Sequence, residues 1–395
     1  MSARPQTSAE LGKSHDRHRR VRKIALTAGV ALGALVLAAG CKPVAGKPAP
    51  HPPHLPTTTT IVPAPTSAPT DSTEPTTTTT SAPPTTTVSS ATPPVSTTVK
   101  PRPTSTGTAP VPPPSGSLPA NTVPAVGQVG YRGDRAKLKV VDGPGSAPPG
   151  TTWNSGALRF SGNVTLDGYY IKGGIEYNGK GTLTIRNSVI EGNHNSWSPI
   201  LGNSGHVDVR DSTITYKDDQ WPGDKWGNGA IHGDATVTVI RCDISGTPDG
   251  IQNGPGNSQI EQSYIHDLLR AGTYPNNTHN DGIQSYGGPN TVIKYNRIDI
   301  SADGKAYDGT HQNGAVFIMS SDDGPTSGLQ VVGNYLAGGG YILRIGASAK
   351  GAVVTDNRFG TTAGGFGEVF VDAGAQIASW VNNLSSSNKM INQPR

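Results

Sequence analysis

The sequence predicts an all-β fold, a parallel β-helix, for the C-terminal two-thirds of this 395-residue chain. From Val126 onward the composition is rich in Gly, Asn, Asp, Val and Ile, with short alternating apolar runs bounded by turn residues. A related short segment recurs along this region, and almost no helical periodicity is present. Stacked copies of one β-strand unit explain these features together.

The recurring segment is an apolar-polar-apolar strand that runs into a tight bend, as at 183–190 and 207–214. Asn tolerates the left-handed backbone of such a bend, and its amide can hydrogen-bond the next copy. The predicted bend positions are Gly168, Asn187, Asp211, Cys242, Gln262, Asn296, Asn334 and Asn357. Their spacings are 19, 24, 31, 20, 34, 38 and 23, so one coil needs about 20 residues and the excess forms loops.

A second short strand follows in each copy and predicts two faces. The residues expected to stack inward are Ile231, Ile251, Ile283, Val316, Ile342 and Val369. Alternation then turns His232, Gln252 and Gln284 outward on three successive coils, about 4.8 Å apart. The same outward column is predicted to continue as Phe317, Leu343 and Phe370. Polarity is therefore confined to the middle of the solenoid, which indicates a site.

Three long inserts, 216–228, 268–280 and 301–313, enter the second strand from one side and are expected to border the polar column. Aromatic faces beside carboxylates and amides suit a sugar chain. The predicted substrate-binding residues are His232, Gln252, Gln284, Trp226, Tyr274, Tyr286 and His311. The alternative is that long loops collect polar residues on any protein, and that their aromatics only pack the loops down.

The predicted chemistry centres on Asp249 and Asp281, each followed by Gly-Ile-Gln on adjacent coils. Carboxylates about 5 Å apart disfavour double ionisation, so one has a raised pKa or both bind a cation. A hydrolase would divide acid and base or nucleophile roles between them. A lyase would neutralise a uronate through a cation or His279, with Arg344 or Lys225 as the base. Alternatively, each Asp-Gly pair only forms the corner into the strand.

Through these Asn-rich bends, residues 150–385 resemble the right-handed parallel β-helix proteins of the pectate-lyase-like superfamily, with their internal asparagine ladder. The resemblance implies a single-stranded right-handed solenoid of about 8 coils. It leaves the reaction open, because the superfamily includes polysaccharide lyases, hydrolases, epimerases and phage tailspikes. Related lyases use calcium, so Ca²⁺ is an open cofactor prediction without a self-sufficient ligand pattern. Cys242 takes one ladder position and is expected to be an inert buried thiol.

The N-terminal residues have the order of a signal peptide: a basic stretch, an apolar run over 24–37, then Ala38-Ala39-Gly40-Cys41. With Leu37, this end resembles the lipobox of bacterial lipoproteins, which implies a lipid on Cys41. Ordinary cleavage stays open, because the Leu lies four residues before the cysteine. The apolar run is short for a bilayer of roughly 30 Å. The predicted domains are the lipoprotein signal peptide (1–40), a disordered Thr/Pro-rich stalk (41–125) and the β-helix (126–395).

Charge excludes a nucleic-acid-binding face. The whole chain carries +4, but without residues 1–40 the formal charge is −1, and residues 126–395 hold 21 Lys/Arg against 24 Asp/Glu.

Taken together, these features predict a monomer that is lipid-anchored at the extracellular face of the membrane and reaches into the cell wall. We expect it to cleave a polysaccharide or cell-wall glycan. The alternatives are a non-catalytic glycan-binding or adhesion module and a purely structural solenoid.

Overall fold

The computed structural model describes the C-terminal part of the chain as β-structure with two short 3-10 helices, η1 (Arg135–Lys137) and η2 (Pro144–Ser146). The described residues are 118–394 apart from 194, 195, 197, 217–227, 255, 274, 275, 302–311, 320–323 and 361–365. Neither helix in this part of the chain is long and apolar enough to cross a membrane. The predicted signal peptide and Cys41 lie outside the described residues, as does the stalk up to residue 117.

Three sheets of stacked strands build the domain. Sheet I contains β2 (Thr152–Asn154), β3 (Ala157–Phe160), β6 (Gly174–Tyr177), β9 (Ile200–Gly202), β12 (Gly229–Gly233), β15 (Asp249–Asn253), β20 (Asn280–Ser285), β23 (Gln312–Ile318), β27 (Tyr341–Ile345) and β30 (Gly367–Val371). Sheet II contains β4 (Val164–Asp167), β7 (Thr182–Arg186), β10 (His206–Arg210), β13 (Thr236–Ile240), β16 (Gln259–Glu261), β21 (Val292–Lys294), β25 (Gln330–Val332), β24 (Thr326–Ser327), β28 (Ala349–Thr355) and β31 (Gln376–Val381). Sheet III contains β1 (Lys139–Val141), β5 (Tyr169–Ile171), β8 (Val189–Gly192), β11 (Thr213–Tyr216), β14 (Asp243–Ile244), β17 (Tyr264–His266), β22 (Arg297–Asp299), β26 (Tyr335–Ala337) and β29 (Arg358–Phe359).

The chain visits sheets I, II and III in turn, which makes it a parallel β-helix. The first coil is β3, β4 and β5, the eighth is β27, β28 and β29, and β30 with β31 begin a ninth. Pairing between coils is parallel, while β2 and β3 form an antiparallel hairpin at the N-terminal end. A small hairpin of β18 (Gly272–Thr273) and β19 (Asn276–Asn277) lies within the insert before β20. The described residues thus confirm the predicted fold class and its eight coils.

The core lies between the three sheets and is aliphatic. On sheet I the inward residues in register are Ile231, Ile251, Ile283, Val316, Leu343 and Val369. The prediction was wrong on β27, where it placed Ile342 in this stack and Leu343 outside. The register there is one residue later than the predicted one, and a one-residue slip exchanges the two faces of a strand. The outward residue of β27 is therefore Arg344, which pairs with Phe317 and Phe370.

A ladder of buried polar side chains runs along the bends between sheets II and III. Its members are Ser188, Ser212, Cys242, Ser263, Asn296, Asn334, Asn357 and Asn383, all fully buried. Asn334 shows the bonding: its Oδ1 accepts the amide N–H of Asn296 at 2.9 Å and the Nδ2 of Asn296 at 3.0 Å. Its own Nδ2 donates to Asn357 Oδ1 at 3.0 Å and to the carbonyl of Ile293 at 2.9 Å. The ladder satisfies polar groups that would otherwise be costly to bury.

The predicted bend positions include two different kinds of residue. Asn296, Asn334, Asn357 and Cys242 are ladder residues, as expected. The other predicted positions have positive φ and lie one residue earlier, at the bend itself: Gly168, Asn187, Asp211 and Gln262. Ser follows three of these bends and turns inward in place of Asn. In these coils the ladder residue is therefore Ser, one position after the predicted bend residue.

We expect Cys242 to resist alkylation in the native protein. Its side chain is fully buried, and burial raises the pKa of the thiol to about 12, so almost no reactive thiolate exists at neutral pH. Iodoacetamide should label the Cys242 peptide only in denaturant, as read by mass spectrometry of the digested chain. Equal labelling rates in the native and the denatured protein would contradict this burial.

Residues 118–134, which we call the N-terminal strap, lie against the outside of the coils. The fifth and sixth coils hold its start, because Gln262 Nε2 and Arg297 Nε each donate to a strap carbonyl at 2.9 Å. Farther along, the amide of Gly130 donates to Arg241 O at 2.9 Å, and that of Tyr131 to Thr213 Oγ1 at 3.0 Å. The strap therefore runs back from the middle of the solenoid toward β1. Residues 118–125, predicted as stalk, belong to this packed segment.

Candidate active site

The predicted polar column on sheet I is confirmed as a hydrogen-bonded series, which we call the amide chain: His232, Gln252, Gln284 and Tyr286. Strand pairing places the first three side by side on successive coils. His232 Nδ1 hydrogen-bonds Gln252 Oε1, and Gln252 Nε2 donates to Gln284 Oε1 at 3.0 Å. The Tyr286 hydroxyl donates to the same Gln284 oxygen at 3.0 Å. All four side chains are buried, so the chain is held in one arrangement by its own hydrogen bonds.

Asp249 is the first residue of β15 on the fifth coil, Asp281 is the second residue of β20 on the sixth coil, and both are buried. Asp249 Oδ1 accepts the amide N–H of Asp281 at 2.7 Å, and Oδ2 accepts Gln252 Nε2 at 2.5 Å. Asp281 Oδ2 accepts Asn313 Nδ2 at 3.1 Å. No atom of the described residues completes a well-formed hydrogen bond to Asp281 Oδ1. Both oxygens of Asp249 are therefore hydrogen-bonded, as a corner residue requires, whereas the buried Oδ1 of Asp281 has, among these described residues, only the backbone amide of Gly314 near it.

Electrostatics separates this pair from ordinary surface carboxylates. Burial raises the pKa of Asp249 well above its usual value, and the neighbouring charge of Asp281 raises it further. Burial also raises the pKa of Asp281, to about 8, although Asn313, Arg344 and the backbone amide of Gly314 lower it. The predicted raised pKa is thus present, and the pair retains a proton at neutral pH. A protonated carboxyl at neutral pH can act as a general acid.

Arg344 continues the outward column beyond the amide chain. Its guanidinium lies between two aromatic rings, with its carbon 4.8 Å from the centroid of Phe317 and 5.4 Å from that of Phe370. Its Nη2 is 3.5 Å from Asp372 Oδ1, and its charge lowers the pKa of Asp281. The expectation that polarity ends at Gln284 was therefore wrong. A cation lies on the same face, two coils beyond Asp281.

The remaining predicted site residues are only partly described. His279 directly precedes β20 and is half-buried. Its neighbour Asn280 fixes the end of the insert, because Asn280 Nδ2 donates to the carbonyls of Pro248 and Leu269 at 2.5 and 2.7 Å. The predicted positions Trp226, Tyr274, His311 and Lys225 lie outside the described residues. Among the described residues no three His, Cys, Asp or Glu side chains form a metal-binding group, and Ca²⁺ stays a prediction.

Asn313 and Asp372, which contact Asp281 and Arg344, were not among the predicted site residues. The signal for Asn313 was available, since it precedes Gly314 as Asn280 precedes Asp281 on the previous coil. The register between β20 and β23 shifts at this point. Such a bulge re-aims a side chain, and here the Asn313 amide reaches Asp281. Asp372 had no signal, because it follows the last strand of sheet I and belongs to no repeated position.

We expect the Asp pair to make the native state less stable as pH rises. Because the folded pKa of each carboxyl lies above its unfolded value near 3.8, the folded state binds more protons. The pair's favourable contribution is present below about pH 4 and is lost as pH rises through about 8, the folded pKa of Asp281. Urea unfolding across this range should give a steeper fall in the free energy of unfolding for the wild type than for Asp281→Asn.

His266 also makes the stability of the native state depend on pH, but its contribution is the same in the wild type and in Asp281→Asn. Burial lowers the pKa of His266, but Asp243 and Asp267 outweigh that effect and raise it, so this residue also favours the folded state at low pH. Both proteins retain His266. Identical pH slopes for the wild type and Asp281→Asn would show that Asp281 ionises normally.

No protein-family model, curated protein or solved structure matches this chain. The resemblance to the pectate-lyase-like superfamily therefore rests on the repeats and the ladder. What the protein does has to be inferred from the chemistry on the outer face of sheet I.

Proposed function

We propose that this chain is a surface-tethered member of the pectate-lyase-like superfamily that cleaves an extracellular polysaccharide on the outer face of sheet I. The observation that carries the proposal is the buried Asp249–Asp281 pair, whose raised pKa keeps a proton at neutral pH, with the guanidinium of Arg344 two coils away on the same face. Breaking a glycosidic bond needs an acid for the departing oxygen and a group that compensates the developing charge. The amide chain orients one carboxyl of this pair.

Asp281 is the better proton donor of the two. No hydrogen bond of good geometry from the described residues reaches its Oδ1, although the Gly314 amide lies near enough to lower its pKa, whereas both oxygens of Asp249 accept hydrogen bonds. In a hydrolase, Asp281 would protonate the glycosidic oxygen. Asp249, whose pKa is also raised, would first lose its proton and then act as the opposing carboxylate. In this assignment Gln252 is a positioning residue that holds Asp249.

A lyase would use the same acid with a uronate substrate. A guanidinium keeps its proton in proteins, so Arg344 suits neutralisation of a uronate carboxylate better than the role of base considered from the sequence. Its place between two rings fixes its orientation. The base would then be His279, half-buried beside β20.

The second candidate function is a non-catalytic glycan-binding module, and burial favours it. Asp249 is 1% and Asp281 0% exposed, and Asp249 caps the amide of the next coil as a purely structural corner residue would. In that case the amide chain and the aromatic residues of sheet I would bind sugar without transferring a proton.

The proposed location follows from the N-terminal sequence. Lipid on Cys41 would anchor the protein at the extracellular face of the membrane, and residues 42–117 would give the β-helix reach into the cell wall. The partners are then the membrane lipid and the polysaccharide. Conversion of Cys41→Ser should release the protein from the membrane fraction.

The test is to incubate the mature chain with a panel of acidic and neutral polysaccharides and to follow two signals. Ultraviolet absorbance of unsaturated uronates together with new reducing ends would establish a lyase. Reducing ends without that absorbance would establish a hydrolase. If neither signal appears across a broad panel while sugar binding is detected, the binding module replaces the enzyme.

A further inference from the structure

The outer face of sheet I ends in a group of aromatic rings, which we call the aromatic platform: Tyr341, Phe366 and Phe370. The rings of Tyr341 and Phe370 stack with centroids 5.0 Å apart and an interplanar angle of 28°. Phe366 extends the group, with its ring centroid 5.6 Å from that of Tyr341 and an interplanar angle of 44°. Phe370 also contacts Arg344 in the outward column. The platform is therefore continuous with the proposed active site.

The backbone presents Phe366 to solvent. Its amide donates to the carbonyl of Gly340 at 2.6 Å, and the next residue, Gly367, pairs with Tyr341 in the sheet. Gly367 has φ +140, which a side-chain-bearing residue would adopt only with strain. Phe366 is nevertheless 48% exposed, which is unusual for a phenylalanine fixed by sheet hydrogen bonds. An exposed ring on a fixed backbone is preorganised for a ligand.

Charge around the platform limits the class of ligand. The Arg344 guanidinium lies against Phe370, so a cationic ligand would be repelled. Asp372 lies 3.5 Å from the same guanidinium and offsets its attraction for an anion. A flat apolar ring next to a guanidinium whose charge Asp372 offsets suits the C–H face of an uncharged sugar, whose hydroxyls remain in water.

We propose that the aromatic platform is a binding subsite for an uncharged sugar unit of the polysaccharide. The inference rests on the proposed function because it takes a polysaccharide as the ligand. It does not depend on proton transfer by the Asp pair. Phe370 lies three coils beyond Asp281, or about 14 Å along the axis. A glycan that occupies both places runs along the solenoid axis, with its cleaved bond at Asp281 and a neutral unit at Phe366.

The test is a glycan-array measurement with the mature chain. The probes are linear neutral oligosaccharides (β-glucan, mannan, arabinan and galactan fragments) and acidic ones (galacturonan and alginate fragments). We choose the probe that contains neutral sugar units and binds the wild type most tightly. Phe366→Ala should weaken its binding about fivefold to tenfold. Phe366→Leu should weaken binding similarly, whereas Phe366→Trp should keep binding close to that of the wild type. The matched control is Val381→Ala, which removes another exposed apolar side chain, 55% exposed on sheet II.

The outcomes separate the platform from the enzyme. Loss of binding in Phe366→Ala with intact binding in Asp281→Asn supports the platform, whether or not the wild type cleaves the probe. Unchanged binding in Phe366→Ala overturns the platform, and cleavage by the wild type would then leave the proposed function standing. A wild type that binds only fully acidic probes, or no probe, also overturns it.

Discussion

Asp281→Asn is expected to lower kcat for polysaccharide cleavage by about 10²–10⁴-fold, the range for loss of a general acid. The substitution keeps the shape of the side chain and its contact with Asn313, but an amide cannot transfer the proton. It also removes a buried ionisable group, so the variant should fold at neutral pH. The measurement is kcat on the substrate that the panel identifies, together with thermal unfolding.

The control is Asp356→Asn, which changes an exposed carboxyl at a bend between sheets II and III. Asp356 Oδ1 accepts a hydrogen bond from Asn382 Nδ2 at 2.7 Å. This variant should retain wild-type kcat. If Asp281→Asn cleaves as fast as the wild type while folding normally, Asp281 is only a corner residue. If Asp281→Asn does not fold, the pH profile of wild-type kcat decides, because activity that needs protonated Asp281 falls as pH rises through about 8, whereas activity independent of this proton does not.

Asn334→Ala is expected to destabilise the β-helix by about 3–5 kcal/mol, because it leaves several buried groups without partners at about 1–3 kcal/mol each. The substitution removes the acceptor for two donors of Asn296 and the donor for the carbonyl of Ile293. Water cannot replace these partners easily, because the ladder is fully buried. Urea unfolding at constant pH measures the change in free energy.

The matched control for the ladder is Asn203→Ala. Asn203 also forms an amide-to-amide bond between coils, with Nδ2 donating to Asn178 Oδ1 at 2.7 Å, but both residues are exposed. Its loss should change stability by less than about 0.5 kcal/mol, because water satisfies the freed groups. Similar losses for the two variants would mean that the ladder contributes no more than a surface hydrogen bond.

The features that the sequence predicts well are those carried by strict repetition. The column of His232, Gln252 and Gln284 follows from alternation around a repeated Ile, and strand pairing confirms it. The position of Asp249 and Asp281 on adjacent coils follows from the repeat, but the largest cause of their raised pKa is burial, and the neighbouring charge adds to it only for Asp249. In both cases the repeat fixes the distance between residues far apart in the chain.

The features that the sequence predicts badly depend on a single residue of register. An alignment on the glycines before β27 placed Leu343 outward, and thereby hid Arg344, the cation nearest the Asp pair in the outward column. At Asn187 the polar residue forms the bend, and Ser188 enters the ladder. Phe366 lies outside any repeated position, so only the folded backbone shows that it extends the rings of β27 and β30.

The strap determines how mechanical force from the N-terminal side enters the domain. Before any pull on the chain reaches β1, it acts on the bonds from Gln262 and Arg297 at the middle coils and on those of Gly130 and Tyr131. Because the strap runs back along the coils, these bonds are loaded along the solenoid and share the force. A chain that entered directly at β1 would instead peel the first coil from the stack, one pair of strands at a time. The strap thus protects the first coil from tension until the strap's own bonds have broken.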